Sequence, residues 1–291
     1  MLLASIVIAF IALIIGSITD LKNREVPDYV SYSLIFFAFA SAIMYSIIQW
    51  SYIPIAQTAM GFIVGLIIAY TMFYLGQWGG GDSKLIMGLG AALGFNLFAL
   101  FGQTNYWLLI FLFLTVIVGA IYGLFWSIAL AIKHHREFRK ALIALSHKKH
   151  ILIIRRIALV LLIVFTIVTF FFVPQEFRLI IFSLIAVVFF MFYLWLFVKV
   201  IELGCMVKDV SVSKLTEGDW IYKNIKIGRK YLAGPKDLGI SREQITLLKK
   251  YVKLGKIKKV TIKEGIPFIP AFLIAFILVL AFYYLKIVPF F

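Results

Sequence analysis

The sequence predicts an all-α polytopic membrane protein of about eight transmembrane helices with a small cytosolic α+β insert. Three observations predict it. Hydrophobic residues make up 63% of the 291 and charged residues 14%, with a mean hydropathy of +1.03. Soluble domains average about 45–50% apolar and about 25% charged, so this excess requires lipid as the solvent. Apolar runs close to the ~20 residues a helix needs to cross a bilayer recur along the whole chain. The basic residues gather between particular runs and avoid the others.

The runs lie at 1–19, 31–50, 57–76, 84–101, 107–132, 157–173, 179–201 and 266–289. The first has no basic flank before it and runs into Asp20, so it reads as a span rather than a cleaved signal peptide. The fourth is the least apolar, rich in glycine and alanine and opening at Lys84. Glycines four apart (Gly61/Gly65, Gly90/Gly94, Gly119/Gly123) would let helices three, four and five approach closely, a packing role without chemistry. These runs divide the chain into spans one to five (1–132), a basic loop (133–156), spans six and seven (157–201), an insert (202–264) and a last span (265–291).

Charge sets the orientation. Of 29 Lys and Arg, all but Arg178 and Lys286 fall on one side or at its border: Lys22 and Arg24, Lys84, the eight from Lys133 to Arg156, and the insert. The opposite loops at 51–56 and 102–106 carry no charge. The positive-inside rule makes the basic side cytosolic, with both termini outside. The net charge of +16 therefore faces anionic lipid headgroups rather than nucleic acid. A single cysteine, Cys205, excludes an internal disulfide and a Cys-based zinc knuckle.

Residues 202–264 are the one stretch that reads as water-soluble. Short β-rich segments (Met206 to Val212, Trp220 to Ile227, Ile257 to Ile262) surround a helix opened by the capping box Ser241-Arg242-Glu243-Gln244. Leu247, Leu248, Tyr251 and Leu254 follow it at helical spacing. About 60 residues make a marginal domain, one that leans on the membrane part or its headgroups.

Two aspartates stand out. Asp20 ends the first span and Asp82 begins the fourth, both on the cytosolic side, and an ionisable group at membrane depth is a functional candidate by default. Asp82 follows three glycines and is also placed to cap a helix. Asp20 faces the negative end of its own helix dipole, so helix stability does not account for it, although a plain juxtamembrane charge would. Two carboxylates brought together share one proton, because both cannot ionise easily at close range. One then activates a water as general base while the other donates to a carbonyl, which is the chemistry of aspartic proteolysis and needs no metal or cofactor. A glycine-rich turn beside it lets a substrate backbone come close.

The stretch Gly79-Gly80-Gly81-Asp82-Ser83-Lys84 resembles the G-x-G-D-x-K pattern of the type IV prepilin peptidases, members of the GxGD membrane aspartyl proteases. Asp20-Leu21-Lys22-Asn23-Arg24-Glu25-Val26-Pro27-Asp28 is similar to the block holding the family's first catalytic Asp. Gly265-Ile266-Pro267-Phe268-Ile269-Pro270-Ala271-Phe272 looks like the start of the last span in archaeal members, the preflagellin and prepilin peptidases. The resemblance covers residues 1 to 100 or so and the C-terminal span. It implies a GxGD aspartyl protease fold and Asp20 and Asp82 as the catalytic pair. It also implies a pilin, archaellin or related precursor as substrate, cut on the cytosolic side between its basic leader and its hydrophobic helix. Bacterial relatives also methylate the new N-terminus and often carry a four-cysteine zinc domain after the first span. Here that loop has about ten residues and no Cys, so peptidase activity without methyl transfer is expected. Many archaeal members have six spans, against the eight counted here.

Other residues have plainer readings beside the functional ones. Lys84 either holds a charge near the pair or snorkels to headgroups. Asp28 is placed to cap the second span, and Lys22 and Arg24 to act as positive-inside anchors. His134, His135, His147 and His150 share a basic loop with Glu137 as its one carboxylate, a solvated surface rather than a metal site. Pro267 and Pro270 shape the start of the last helix. In related GxGD proteases a Pro-Ala motif approaches the dyad, which implies substrate contact for Pro270 and Ala271, as for Gly79, Gly80 and Gly81. Two rivals use the same pair differently. A proton-coupled carrier would relay protons through it, though no internal repeat is evident. A non-catalytic assembly scaffold would tolerate replacement of both Asp.

Overall fold

The computed structural model describes residues 3–96, 106–228 and 230–285. Among these residues ten α-helices form: α1 (Leu3–Asn23), α2 (Asp28–Ile48), α3 (Ile53–Tyr74), α4 (Gly80–Leu93), α5 (Trp107–Lys133), α6 (His135–Ser146), α7 (Lys149–Phe172), α8 (Gln175–Ile201), α9 (Arg242–Lys253) and α10 (Ile269–Tyr284). Among the described residues α1, α2, α3, α5, α7 and α8 are long and apolar enough to cross a membrane, while α10 is a shorter apolar helix. The protein is thus a polytopic helical membrane protein with a small sheet-bearing insert, and each apolar run of the sequence holds one helix. The fourth is shorter than its run: α4 stops at Gly94, whose φ of +68° breaks the helix. The predicted loop 102–106 lies outside the described residues except Tyr106, and so do Lys286 and the end of the last run.

The core belongs to six helices. Leu13 (α1), Leu34 (α2), Ala69 (α3), Leu85 and Leu89 (α4), Phe111 (α5), Phe272 and Phe276 (α10) are all fully buried together. Helices α3 and α4 make the closest pairing because glycines face each other. A Cβ on Gly61 would overlap the carbonyl oxygen of Gly90, and one on Gly65 would sit 2.8 Å from that of Ile86. Helix α5 uses its glycines differently: Gly119 receives the Phe268 ring ahead of α10, and Gly123 meets nothing within 4 Å.

Helices α7 and α8 form a hairpin outside this core. Only Ile151 and Thr169 of α7 are buried, and the rest of its apolar surface faces outward, as lipid contact requires. This hairpin is what raises the six core helices to eight apolar ones. Residues 133–156, expected as a basic loop, are instead largely helical: α6 fills half of them and α7 begins at Lys149, ahead of the expected 157. The physical reason is amphipathicity. Phe138, Ala141, Leu142 and Leu145 recur at helical spacing and pack on Leu196 and Val200 of α8, while the bases take the other face.

The insert follows α8 through a π-helical turn at Glu202–Met206. Strands β1 (Val207–Val210), β5 (Val260–Lys263) and β2 (Trp220–Ile221) make an antiparallel sheet with β5 central, Val207 opposite Lys263 and Trp220 opposite the same Lys263. Strands β3 (Ile225–Ile227) and β4 (Lys230–Ala233) form a separate hairpin, the second strand not foreseen from the sequence. Helix α9 starts as its capping box requires: Ser241 Oγ accepts from the Gln244 N–H at 3.2 Å, and Gln244 Oε1 accepts from the Ser241 N–H at 2.9 Å. Its Ile245 and Leu248 join Val212, Ile221, Leu232 and Ile262 in a small core, whereas Leu254 stays exposed. Glu202 accepts from Lys199 and from Lys263, both at 2.8 Å, and so ties the end of α8 to β5.

Candidate active site

Asp20 lies in the last turn of α1, on the face that carries Leu13, Gly16 and Ser17 into the core, and its side chain is buried. The carboxylate has no favourable partner in its own helix, whose free carbonyls point the same way. It finds one in α10 instead. Oδ2 accepts the backbone N–H of Ile269 at 3.0 Å, one of the amides left unpaired at the start of that helix.

Asp82 is the third residue of α4, where the helix dipole favours an anion. Its Oδ2 accepts the N–H of Gly79 at 3.1 Å, so the capping reading of the sequence is correct for one oxygen. Asp82 is also close enough to Asp20 for the two charges to repel. Capping and pairing therefore coexist in one side chain.

The two sequence blocks interlock at three points. Beside the aspartates, a Cβ on Gly81 would stand 3.1 Å from the Cβ of Val26, so glycine is needed for the turns to touch. Lys84 Nζ then reaches Asp28 Oδ1 at 2.6 Å and lies 5.5 Å from the centre of the Tyr32 ring. Lys84 is thus committed to α2 rather than to the aspartates, and Asp28 uses its carboxylate on Lys84 rather than as a cap. Gly79 and Gly80 take ordinary negative φ values, and a Cβ on Gly80 would meet nothing within 4 Å.

The segment before α10 closes a third side. Arg24, held at φ +60°, donates from Nη1 to the Gly265 carbonyl at 2.6 Å, and its guanidinium stands 5.4 Å from the Trp126 ring centre on α5. Trp78, just ahead of the glycine turn, packs edge-on against Phe272 at 5.4 Å. Pro270 and Ala271 occupy the first turn of α10, immediately after the amide that holds Asp20, with Ala271 fully buried. The insert stands at the same end: a Cβ on Gly76 would be 3.1 Å from the Trp220 ring. Asp219, beside Trp220, is held above the usual carboxylate range by burial, with the charges of Glu25 and Glu264 adding to it and the Thr216 amide opposing.

Reasoning from sequence missed the Ile269 amide, the Val26–Gly81 contact and the reach of α5 to this place. Backbone donors leave no trace in residue type. Tyr122 and Trp126 do leave one, as polar aromatics inside an apolar span.

Two carboxylates on different helices, one oxygen of each engaged by a backbone amide, leave one oxygen of each for acid–base chemistry. Residues 7–124, which include both aspartates and the glycine turn, match the type IV leader peptidase family. Over 87 residues the chain is 44% identical to a preflagellin peptidase of Methanocaldococcus jannaschii, covering 30% of this chain and 37% of that protein. Preflagellin peptidases of Methanococcus voltae and Methanococcus maripaludis are 36% and 39% identical over 86 and 85 residues, 30% and 29% of this chain. In both cases 36% of the relative is covered, so the chain spans little more than a third of the length of these curated relatives. No solved structure matches. Through its first five helices, the chain is similar to the type IV leader peptidase family.

Proposed function

We propose that this protein is a membrane aspartyl endopeptidase that removes the basic leader from pilin- or archaellin-like precursors, and that Asp20 and Asp82 are its catalytic pair. The observation that carries this is the packing of the Asp20 block against the glycine turn of Asp82, through Val26 and Gly81, with Asp20 bound to the Ile269 amide and Asp82 to the Gly79 amide. The ionised member takes a proton from a water, whose oxygen attacks the scissile carbonyl carbon. The protonated member gives its proton to the carbonyl oxygen. Collapse of the tetrahedral species breaks the C–N bond: the proton taken from water passes to the leaving amine, and a hydroxyl of the collapsing species returns its proton to the other carboxylate, restoring the starting pair. The chemistry uses no metal and no methyl donor. Glycines 79 to 81 and the Pro270-Ala271 turn border the path of the substrate backbone.

The distribution of bases supports a cytosolic placement of this end, with both termini outside. The membrane core then comprises α1–α5 and α10, and the insert, 202–264, sits over the site on the cytosolic face. The basic face of α6 and the lysines of the insert rest on anionic headgroups.

The test is cleavage of a tagged archaellin or pilin precursor by membranes holding the wild type, Asp20→Asn or Asp82→Asn. Asn keeps the shape and removes the proton. A size shift with the wild type that vanishes in both variants supports the reading, and equal processing by all three sinks it.

A further inference from the structure

Helix α5 presents two polar atoms left without a hydrogen bond among the described residues. Tyr122 Oη and Trp126 Nε1 are both buried, and neither has a hydrogen-bond partner among the described residues. They stand four residues apart, hence on one face of the helix, with ring centroids 5.8 Å apart. That face is turned to the end of α1 that carries Asp20 and Arg24. Gly119, one turn earlier, carries the Phe268 ring, and Phe268 is followed by the amide that binds Asp20. The Arg24 guanidinium stands 5.4 Å from the Trp126 ring centre, and the Arg24 backbone N–H donates to the Asp20 carbonyl at 2.9 Å.

A buried donor without a partner is rare and costly in a finished fold, so two neighbours of this kind are informative. Ser17, Ser31 and Thr115 have unpaired hydroxyls too, but a helical Ser or Thr lies close to the carbonyls three and four residues earlier. A tyrosine or tryptophan ring carries its polar atom far from its own helix backbone and has no such recourse. The indole N–H only donates, so whatever meets it must be an acceptor. In a membrane-embedded site that cleaves peptide bonds, the abundant acceptor is the backbone carbonyl of the substrate.

We propose that Tyr122 and Trp126 bind the extended substrate backbone beside the dyad, each donating a hydrogen bond to a peptide carbonyl oxygen. The proposal rests on the peptidase reading given above and adds the side of the site from which the substrate is held. Because these bonds are made in the bound ground state as well as in the transition state, their loss acts on KM rather than on kcat.

The experiment compares wild type, Tyr122→Phe and Trp126→Phe as full-length detergent-solubilised protein, measuring thermal midpoint and the steady-state kinetics of precursor cleavage. Tyr122→Phe removes one oxygen and no packing. Its KM is expected to rise about tenfold with kcat within about twofold of wild type, while the thermal midpoint stays level or rises because a buried unpaired hydroxyl is gone. Trp126→Phe is expected to raise KM in the same way. A wild-type KM in both variants overturns the proposal and leaves the peptidase reading intact. So does a lowered midpoint in Tyr122→Phe, which would make the hydroxyl structural. If the wild type leaves precursors uncut, the proposal falls together with the reading beneath it.

Discussion

The carboxylate of Asp20 accepts the backbone N–H of Ile269 at 3.0 Å, joining residues 249 positions apart. An aspartate that is misplaced at the end of its own helix becomes well placed at the start of another. Asp82 has the same relation to α4, so both carboxylates sit at helix N-termini, where partial positive charge steadies an anion. Two ionised carboxylates here would repel, so bringing both to one end of the core works against stability.

Removing one of the two charges should relieve that repulsion. Asp82→Asn and Asp20→Asn, each able to keep its backbone acceptor bond, are expected to raise the thermal midpoint or leave it unchanged while abolishing cleavage. Melting curves in detergent beside the precursor assay check this. A marked fall in midpoint with either variant would show that the charge itself supports the fold.

The glycines divide sharply. Gly61→Ala drives a methyl into the carbonyl oxygen of Gly90, so α3 and α4 must separate, at a cost of about 1–3 kcal/mol or more. Gly123→Ala meets open space in the middle of α5 and should be neutral or gain up to about 1 kcal/mol from helix propensity. Thermal midpoints of the two variants should move in opposite directions or differ by several degrees.

Lys84 belongs to a surface pair, with side chains 34% and 61% exposed for Lys84 and Asp28. Exposed pairs of this kind contribute less than about 1 kcal/mol. Lys84→Met should lower the midpoint only slightly and leave cleavage within a few-fold of wild type. A loss of activity as deep as that of Asp82→Asn would return Lys84 to the chemistry.

Asp219 gives the insert a pH dependence. Burial, then Glu25 and Glu264, raise its folded-state value above the ordinary 3.8. The folded state thus binds its proton more tightly than the unfolded chain, and this contribution to stability is lost as pH climbs from that value through the raised one. Asp219→Asn, which keeps an acceptor for the Thr216 N–H, should flatten the fall in that window. Hydrogen exchange of β2 and β5 amides across the acid range reads it.

Much of this protein was legible before any coordinates. Composition and run length announce membrane helices, because a bilayer imposes both on any chain that crosses it. The capping box at Ser241 was equally plain, since its four residues make their bonds among themselves. Residues 133–156 were not, because their bases outweigh, on average, an apolar stripe that only a helix reveals. Asp20 and Asp82 stood out as charges in apolar surroundings, and their blocks as motifs. What only the tertiary structure decided is who meets whom. Lys84 turns to Asp28, the Ile269 amide holds Asp20, and Trp126 arrives from α5 to meet Arg24. Those contacts depend on packing across long sequence separations and on backbone groups that every residue shares, so the order of side chains alone does not encode them in any local pattern.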